Sequence, residues 1–573
     1  MIPAIIVFCY LAIVLYIGIF AFRKGASSGE DFFLANRRLG PMVFLLSLFG
    51  TNMTAVAILG SSGFAYQRGI GVYGLMASSS GIIIPLTLFF IGTRLWALGK
   101  RFGHMTQVQY LRDRWEMRGI GTFIFALTAV MLVPYIIIGV MGGGETLETI
   151  SGGAVPYEVG GAVVAIVVMS YVFFGGMRGT AWVNTFQTVL FLCFGAIAFT
   201  LIAQSLGGFP GLMNQLAASP KAYLLSRERI PPEEFLSYMF IPLSSIMFPH
   251  IAIMCMTAEK ITHFKRTVIF YPLCIMFIWL PSVYLGVVAA TQYPNLTPGQ
   301  ANDVIIRLLT DNTNTLVSGI LGAGIMACVM ASDSQILALS TMFTEDLFSY
   351  YGGRAKYGPK AEVWAGRAFI VAISVVAYGI ALLLKDRANI FDLAIRFAFS
   401  GFAALAPVML AALFWKRSTK WGALAASIWV LFGVLGIWYL TAISDPIAPR
   451  PPAPRPAGTA PPGRGPSGTA LTGPATGQTG PGSPTGPTAS AGGPPTGGAG
   501  RPAGGGPPRP PSVRIFPQLG DLFLRGPINV TIFGFLPVMP MVLGSALLMI
   551  VVSLLTRPPS QATLDRYFPP KND

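Results

Sequence analysis

Long apolar runs separated by short polar segments recur down almost the whole chain. About 20 residues of α-helix cross the hydrocarbon of a bilayer. Thirteen runs fit that length, at roughly 3–22, 42–65, 71–98, 120–142, 155–176, 181–203, 237–257, 267–290, 315–341, 366–384, 391–414, 422–443 and 528–555. Two of them are interrupted near the middle. The second reads SLFGTNMTAVAILGSSG from Ser47 to Gly63, with Gly50, Thr51, Asn52 and Thr54 inside it. The seventh reads YMFIPLSSIMFPHIAIMCM, with Pro242, Ser244, Ser245, Pro249 and His250. Proline removes a helical hydrogen bond and clashes with the preceding turn. An unpaired backbone group in lipid costs several kcal/mol, so each interruption must give its freed carbonyls and amides something to bind. The pattern predicts an all-α membrane protein with two discontinuous helices. They lie five spans apart and so run in opposite orientations, as in a five-plus-five inverted repeat.

Composition supports that class. Of 573 residues, 53% are hydrophobic and 11% charged, with mean hydropathy +0.63, against about 25% charged in soluble domains. The net charge of +16 raises nucleic acid as a partner, but the basic residues are spread among short loops and read as topology. With the N-terminus outside and the C-terminus in the cytoplasm, 24 of the 39 Lys and Arg fall in cytoplasmic segments. Of the other 15, seven lie between 446 and 527, a long segment that the positive-inside rule does not count. The first run has no basic residue before it and is followed by Arg23 and Lys24, which predicts an uncleaved span in the cell membrane. Five cysteines without paired spacing and three scattered histidines give neither a disulfide framework nor a metal motif.

Between Pro446 and Pro511, 20 of 66 residues are Pro and 17 are Gly, with no aromatic residue. Such a segment cannot bury enough apolar surface to offset its ordering entropy. The chain therefore divides into 1–443 (with core repeats about 42–203 and 237–414), a disordered external insertion over 446–527, and a last span with a short tail over 528–573. Short surface helices are expected between Ala203 and Glu234. An interfacial helix at the headgroups is expected in the basic stretch Arg94–Arg118.

Discontinuous helices are where secondary transporters hold coupling ion and solute, so solute contacts are sought between the two interruptions. Asn52, Thr54, Tyr73, Ser78, Ser244 and Ser245 are the polar candidates, with Trp182 less central. Asp333, inside the ninth span, is costly to bury and reads as a coupling group, whereas Asp392 and Arg396, four apart, read as a neutralising pair. An enzyme is not indicated, since HExxH is absent from the sequence and no glycine-flanked serine nucleophile motif comes with an evident base. Readings of other classes are a membrane solute sensor, for which the tail TRPPSQATLDRYFPPKND is too short to hold a signalling domain, and a passive channel. The partners implied are a small organic solute and the bilayer, with neither nucleic acid nor an obligatory protein.

Several motifs resemble the sodium/solute symporters, the family of bacterial proline permease and the sodium/sugar cotransporters. GGMRGTAWVNTFQTVLF (Gly175–Phe191) is similar to the family signature before the sixth helix. SLFGTNMTA and MFPHIAIMCMTAEK resemble its two broken helices, and IMACVMASDSQILALSTMFTEDLF (Ile325–Phe348) resembles its ninth. The likeness runs in order over about residues 1–443. It implies a leucine-transporter-type core, alternating access and Na+ as coupling ion. The ion would be held by the backbone carbonyls of Gly50 and Met53 together with a carbonyl and two hydroxyl positions of the ninth span. Aligned without a gap, those three fall on Ala327, Met330 and Ala331; shifted by one, on Cys328, Ala331 and Ser332, which retains one hydroxyl. Asn184 stands where many members carry Asp on the ion's exit path. Proton coupling through Asp333 is the alternative. The sugar-binding Gln of sugar carriers falls on Ala57, and the Trp and Tyr near proline in proline permease fall on Ile241 and Ser245, so neither specialised pocket is reproduced.

Overall fold

The computed structural model describes residues 2–23, 28–297, 299–385, 394–447, 512–526 and 529–569, without the side chains of 396 and 397. Among these residues, nine helices are long and apolar enough to cross a membrane, and two further pairs of helices form bent spans. Large apolar side chains such as Ile82, Phe90, Leu383 and Leu547 stand exposed along the spans, where lipid takes the place of a protein partner.

Both interruptions are real breaks. Pro41–Asn52 and Val56–Arg68 meet at 56°, and Pro232–Ile246 and Pro249–Met256 at 44°. The causes differ. At the first, Met53 leaves helical geometry with φ −101° and ψ 88°. At the second, Pro242 and Pro249 confine the chain to a tight 3-10 stretch, Ile241–Ile246, before helix resumes.

The predicted fifth and sixth spans form one continuous element, Tyr157–Ser205, folded back at Gly176. A straight helix of its 49 residues would run about 73 Å, more than twice the hydrocarbon thickness. Tyr171 and Asn184 both reach the carboxylate of Asp333, although 13 residues of straight helix would hold them about 20 Å apart. The reversal needs the positive φ of Gly176 (51°), and a Cβ there would lie 2.5 Å from the Phe32 carbonyl oxygen.

Between the sixth and seventh spans lie the expected surface helices, Gly208–Ala218 and short turns up to Pro232–Tyr238. The basic stretch forms two helices rather than one, Thr93–Phe102 and Gln107–Trp115. Thr106 caps the second in a capping box with Gln109. The Pro/Gly-rich segment lies outside the described residues beyond position 447. The last part of the expected insertion is ordered, however. A three-stranded antiparallel sheet, β1 Val513–Arg514, β2 Phe523–Arg525 and β3 Val530–Ile532, precedes the final span Val538–Leu555. Aromatic residues return there, and Phe516 packs edge-on against Phe523. The Asp392–Arg396 pairing lies outside the described residues.

Candidate solute cavity and coupling cluster

A cavity of about 500 Å³, its opening included, lies at the junction of the two broken spans. Asn52, Ser244 and Ser245 line it as expected, and so does Met53. Asn52 is held by a 2.6 Å hydrogen bond from its amide to the Tyr271 hydroxyl. Three expected contacts belong elsewhere. Thr54 lies outside the lining and donates to the hydroxyl of Tyr135, a lining residue, at 3.3 Å. Tyr73 lies outside the lining, half-buried against the core. Ser78 is exposed and turns its hydroxyl back to the Gly74 carbonyl of its own helix. The helix Gly71–Thr87 instead presents Met76, Ser80 and Ile84, a four-residue spacing that keeps one face. Two residues separate Ser78 from Ser80 and put them about 200° apart, so the choice depends on how the helix is rotated. Trp182 lies near Phe20 of the first span, not in the cavity.

Much of the wall is aromatic, which carries no polar signal along the sequence. Tyr135, Tyr238, Phe248, Trp279 and Phe399 wall the cavity, and Tyr135 stacks on Phe248 at 5.6 Å. Among the described residues, none that lines it is Asp, Glu, Lys, Arg or His. The site therefore offers an apolar, aromatic enclosure with a few hydroxyl and amide groups, the usual make-up of a small-molecule pocket.

The second-span break faces the ninth span through its carbonyls. The Gln335 amide donates to the Thr51 carbonyl at 3.1 Å. The Cys328 thiol reaches the carbonyls of Met53 and Thr54 at 3.4 and 3.2 Å, while Met53 N–H takes the Gly50 carbonyl. Cys328 thus meets the break through its side chain, whereas the family pattern implied its carbonyl. Ala327 and Ala331 are buried. Ser332 packs over Gly139 of the helix Arg118–Ile150, where a Cβ would come within 2.2 Å of its hydroxyl.

Asp333 is fully buried. Its carboxylate accepts from the Tyr171 hydroxyl at 3.0 Å, the Asn184 amide at 3.2 Å, and the backbone N–H and hydroxyl of Ser334 at 2.5 and 3.1 Å. Asn184 also donates to Ser334 at 2.8 Å, and its amide oxygen is buried without a hydrogen-bond partner. Gly50 connects this cluster to the break, since a Cβ on it would meet the Thr188 hydroxyl at 2.3 Å and the Asn184 carbonyl at 3.2 Å. The sequence singled out Asp333 and Asn184 separately, and the fold places them in contact.

The model of the sodium:solute symporter family matches residues 32–429. The chain belongs to that family. It is a multi-pass membrane transporter of a sodium-coupled family and not an enzyme. The sodium/proline symporter of Escherichia coli (strain K12) is 28% identical over 463 residues, 76% of this chain and 89% of its own length. The high-affinity proline transporter PutP of Bacillus subtilis (strain 168) is 26% identical over 446 residues, 75% of this chain and 91% of its own. A substrate-bound, outward-open Na+-coupled sialic acid symporter has the same fold, with a TM-score of 0.61 at 16% identity over 77% of this chain and 92% of that one. The shared fold is the leucine-transporter-type core with its discontinuous second and seventh helices.

Proposed function

We propose that this protein imports a small organic solute with sodium by alternating access, its N-terminus outside and its C-terminus in the cytoplasm. The observation that carries this reading is the cavity at the meeting point of the two broken spans, beside a second span–ninth span seam that holds a buried carboxylate. Sodium is a hard cation that favours oxygen ligands. Candidates are the carbonyls of Gly50 and Met53, the carboxylate of Asp333, the hydroxyls of Ser334 and Ser332, and the unpartnered amide oxygen of Asn184. A cation at the break displaces the Cys328 thiol from the Met53 carbonyl, so ion binding changes the contact between the second and ninth spans. That difference in contacts is what lets an ion bias one conformation over another. The cavity, with no Asp, Glu, Lys, Arg or His among its described lining residues, suits a compact solute that is neutral or zwitterionic, Asn52, Ser80, Ser244 and Ser245 supplying the polar contacts. Proline, carried by the relatives, is the first solute to try.

Uptake of labelled proline into proteoliposomes tests the reading, with a sodium gradient compared with potassium and with a pH gradient, followed by competition with other amino acids, sugars and carboxylates. Saturable, sodium-dependent uptake of proline or a competitor is expected. Uptake driven by the pH gradient alone favours the second reading, proton coupling at Asp333, which that group's full burial supports. Flux without saturation or counterflow overturns both in favour of a channel.

A further inference from the structure

A second cavity of about 1090 Å³ lies on the side of the protein where helix Val56–Arg68 ends and helix Pro232–Tyr238 begins. Arg68, Glu233 and Glu234 form part of its wall, and residues of the β2–β3 region complete it. Arg68 and Glu234 form an ion pair through a guanidinium nitrogen and a carboxylate oxygen, with only 9% and 10% of their side chains exposed. Tyr238 stands one helical turn beyond Glu234, on the same face, and lines the solute cavity. On the Arg68 side of the pair, Val56 and Ala57 at the start of helix Val56–Arg68 line the solute cavity, while Arg68 at its end lines the outer one. The pair thus joins the outer ends of both broken spans, between two cavities.

We propose that the Arg68–Glu234 ion pair is the outer gate of the transport path, closed as seen here and separated when solute enters from the outer chamber. The inference rests on the 500 Å³ cavity being the solute site. Arg68 is fixed by its surroundings: its guanidinium lies over the Phe64 ring, 5.7 Å from the centroid. The next residue, Gly69, turns at φ 88° with no room for a Cβ against the Leu224 carbonyl, and Ile70 N–H bonds the same carbonyl at 2.8 Å. Glu234 is fixed through its helix, where Ser237 accepts the Leu536 N–H at 2.9 Å. Either charge left buried alone is strongly disfavoured, so the pair parts only when water or other charges replace both partners. Such a contact has two stable arrangements, as a gate requires.

The test is the rate at which a membrane-impermeant thiol reagent, added from the side of the N-terminus, labels Ser244→Cys in the full chain, corrected for the parent protein. Glu234→Gln and Arg68→Gln should each raise that rate about fivefold or more, equivalent to roughly 1 kcal/mol toward the open form. The exchange R68E/E234R should return it toward the parent value. A disulfide formed in R68C/E234C should stop labelling until reductant is added, which keeps the test valid even if a neutral variant folds poorly. Unchanged labelling in well-folded Glu234→Gln, or labelling that continues through the disulfide, overturns the gate. Because labelling needs no transport, a failure of the gate is distinguishable from a failure of the solute reading, which the uptake assay decides.

Discussion

The two broken spans occupy matching places in the two halves of the fold, yet they present different groups to their surroundings. The second opens its carbonyls toward the ninth span, where Gln335 and Cys328 satisfy them. The seventh meets several of its groups locally, with Ser245 donating to the Pro242 carbonyl and the N–H groups of Met247 and Phe248 to the Ser244 carbonyl. Its Met247 carbonyl accepts from the Gln107 amide of the loop helix Gln107–Trp115 at 2.8 Å. Its side chains face the solute cavity. A break made by glycine and polar residues leaves its carbonyls to a partner span, while one made by two prolines removes donors and leaves a carbonyl here to a loop-helix side chain. The first break meets the ninth span as well as the cavity, the second the loop helix Gln107–Trp115 as well as the cavity. That comparison orders the expected effects.

The largest should come from Asp333→Asn, which preserves shape and removes the charge behind the first break. Sodium-driven uptake is expected to fall about tenfold or more, equal to 1.4 kcal/mol, and the sodium-specific rise in thermal stability to vanish. Asp333→Leu should add a loss of stability of about 2–5 kcal/mol by stranding the Tyr171 and Asn184 donors. Sodium dependence that survives Asp333→Asn would uncouple the first break from the ion. Ser332→Ala, whose side chain lies over Gly139, should alter sodium affinity less.

Next come bulky residues in the cavity wall. Ser80→Phe should raise the solute KM about tenfold and leave the sodium response of thermal stability intact. Ser78→Phe, on the exposed face, should change KM less than about twofold, within what a surface substitution does. The reverse order in uptake kinetics would show that the helix Gly71–Thr87 is rotated from its place here. Smaller again is Cys328→Val, which removes the thiol from the break and should cost about 1 kcal/mol in thermal unfolding, with Cys328→Ser recovering most of it.

The smallest effect is expected far from both breaks. Helix Gln561–Tyr567 docks on the loop helices through Glu116, which accepts hydrogen bonds from Ser560 and Thr563. Tyr567 packs against Phe102 and Tyr110. The Ser560 and then the Thr563 hydroxyl hold the Glu116 carboxyl below its ordinary range. A depressed folded value stabilises docking above the free carboxylate range, and the contribution is lost as pH falls through the folded value. Protease cleavage of the tail should therefore rise in acid, and Glu116→Gln should flatten that dependence without altering sodium-driven uptake near neutral pH.

Asp333 and the helix Gly71–Thr87 mark what was legible and what was not. Asp333 is conspicuous in sequence because a carboxyl within an apolar run has few affordable explanations, but two of its donors, Asn184 and Tyr171, lie 149 and 162 residues away. Ser78 and Ser80 are chemically alike, and only the rotation of their helix separates lining from exposed surface. The aromatic wall drew no notice, since apolar aromatic residues are ordinary in a membrane span.

The membrane class, most of the spans, both breaks and the family can be read along the chain, because hydropathy, helix-breaking residues and ordered motifs are local properties. Tertiary structure alone decided that residues 157–205 fold back at Gly176, that Asn184 meets Asp333, that Cys328 reaches the break through its thiol, and that Arg68 pairs with Glu234. Each is a contact between segments remote in sequence. Helix rotation and close approach at glycine fix such contacts, and neither leaves a periodic signal along the chain.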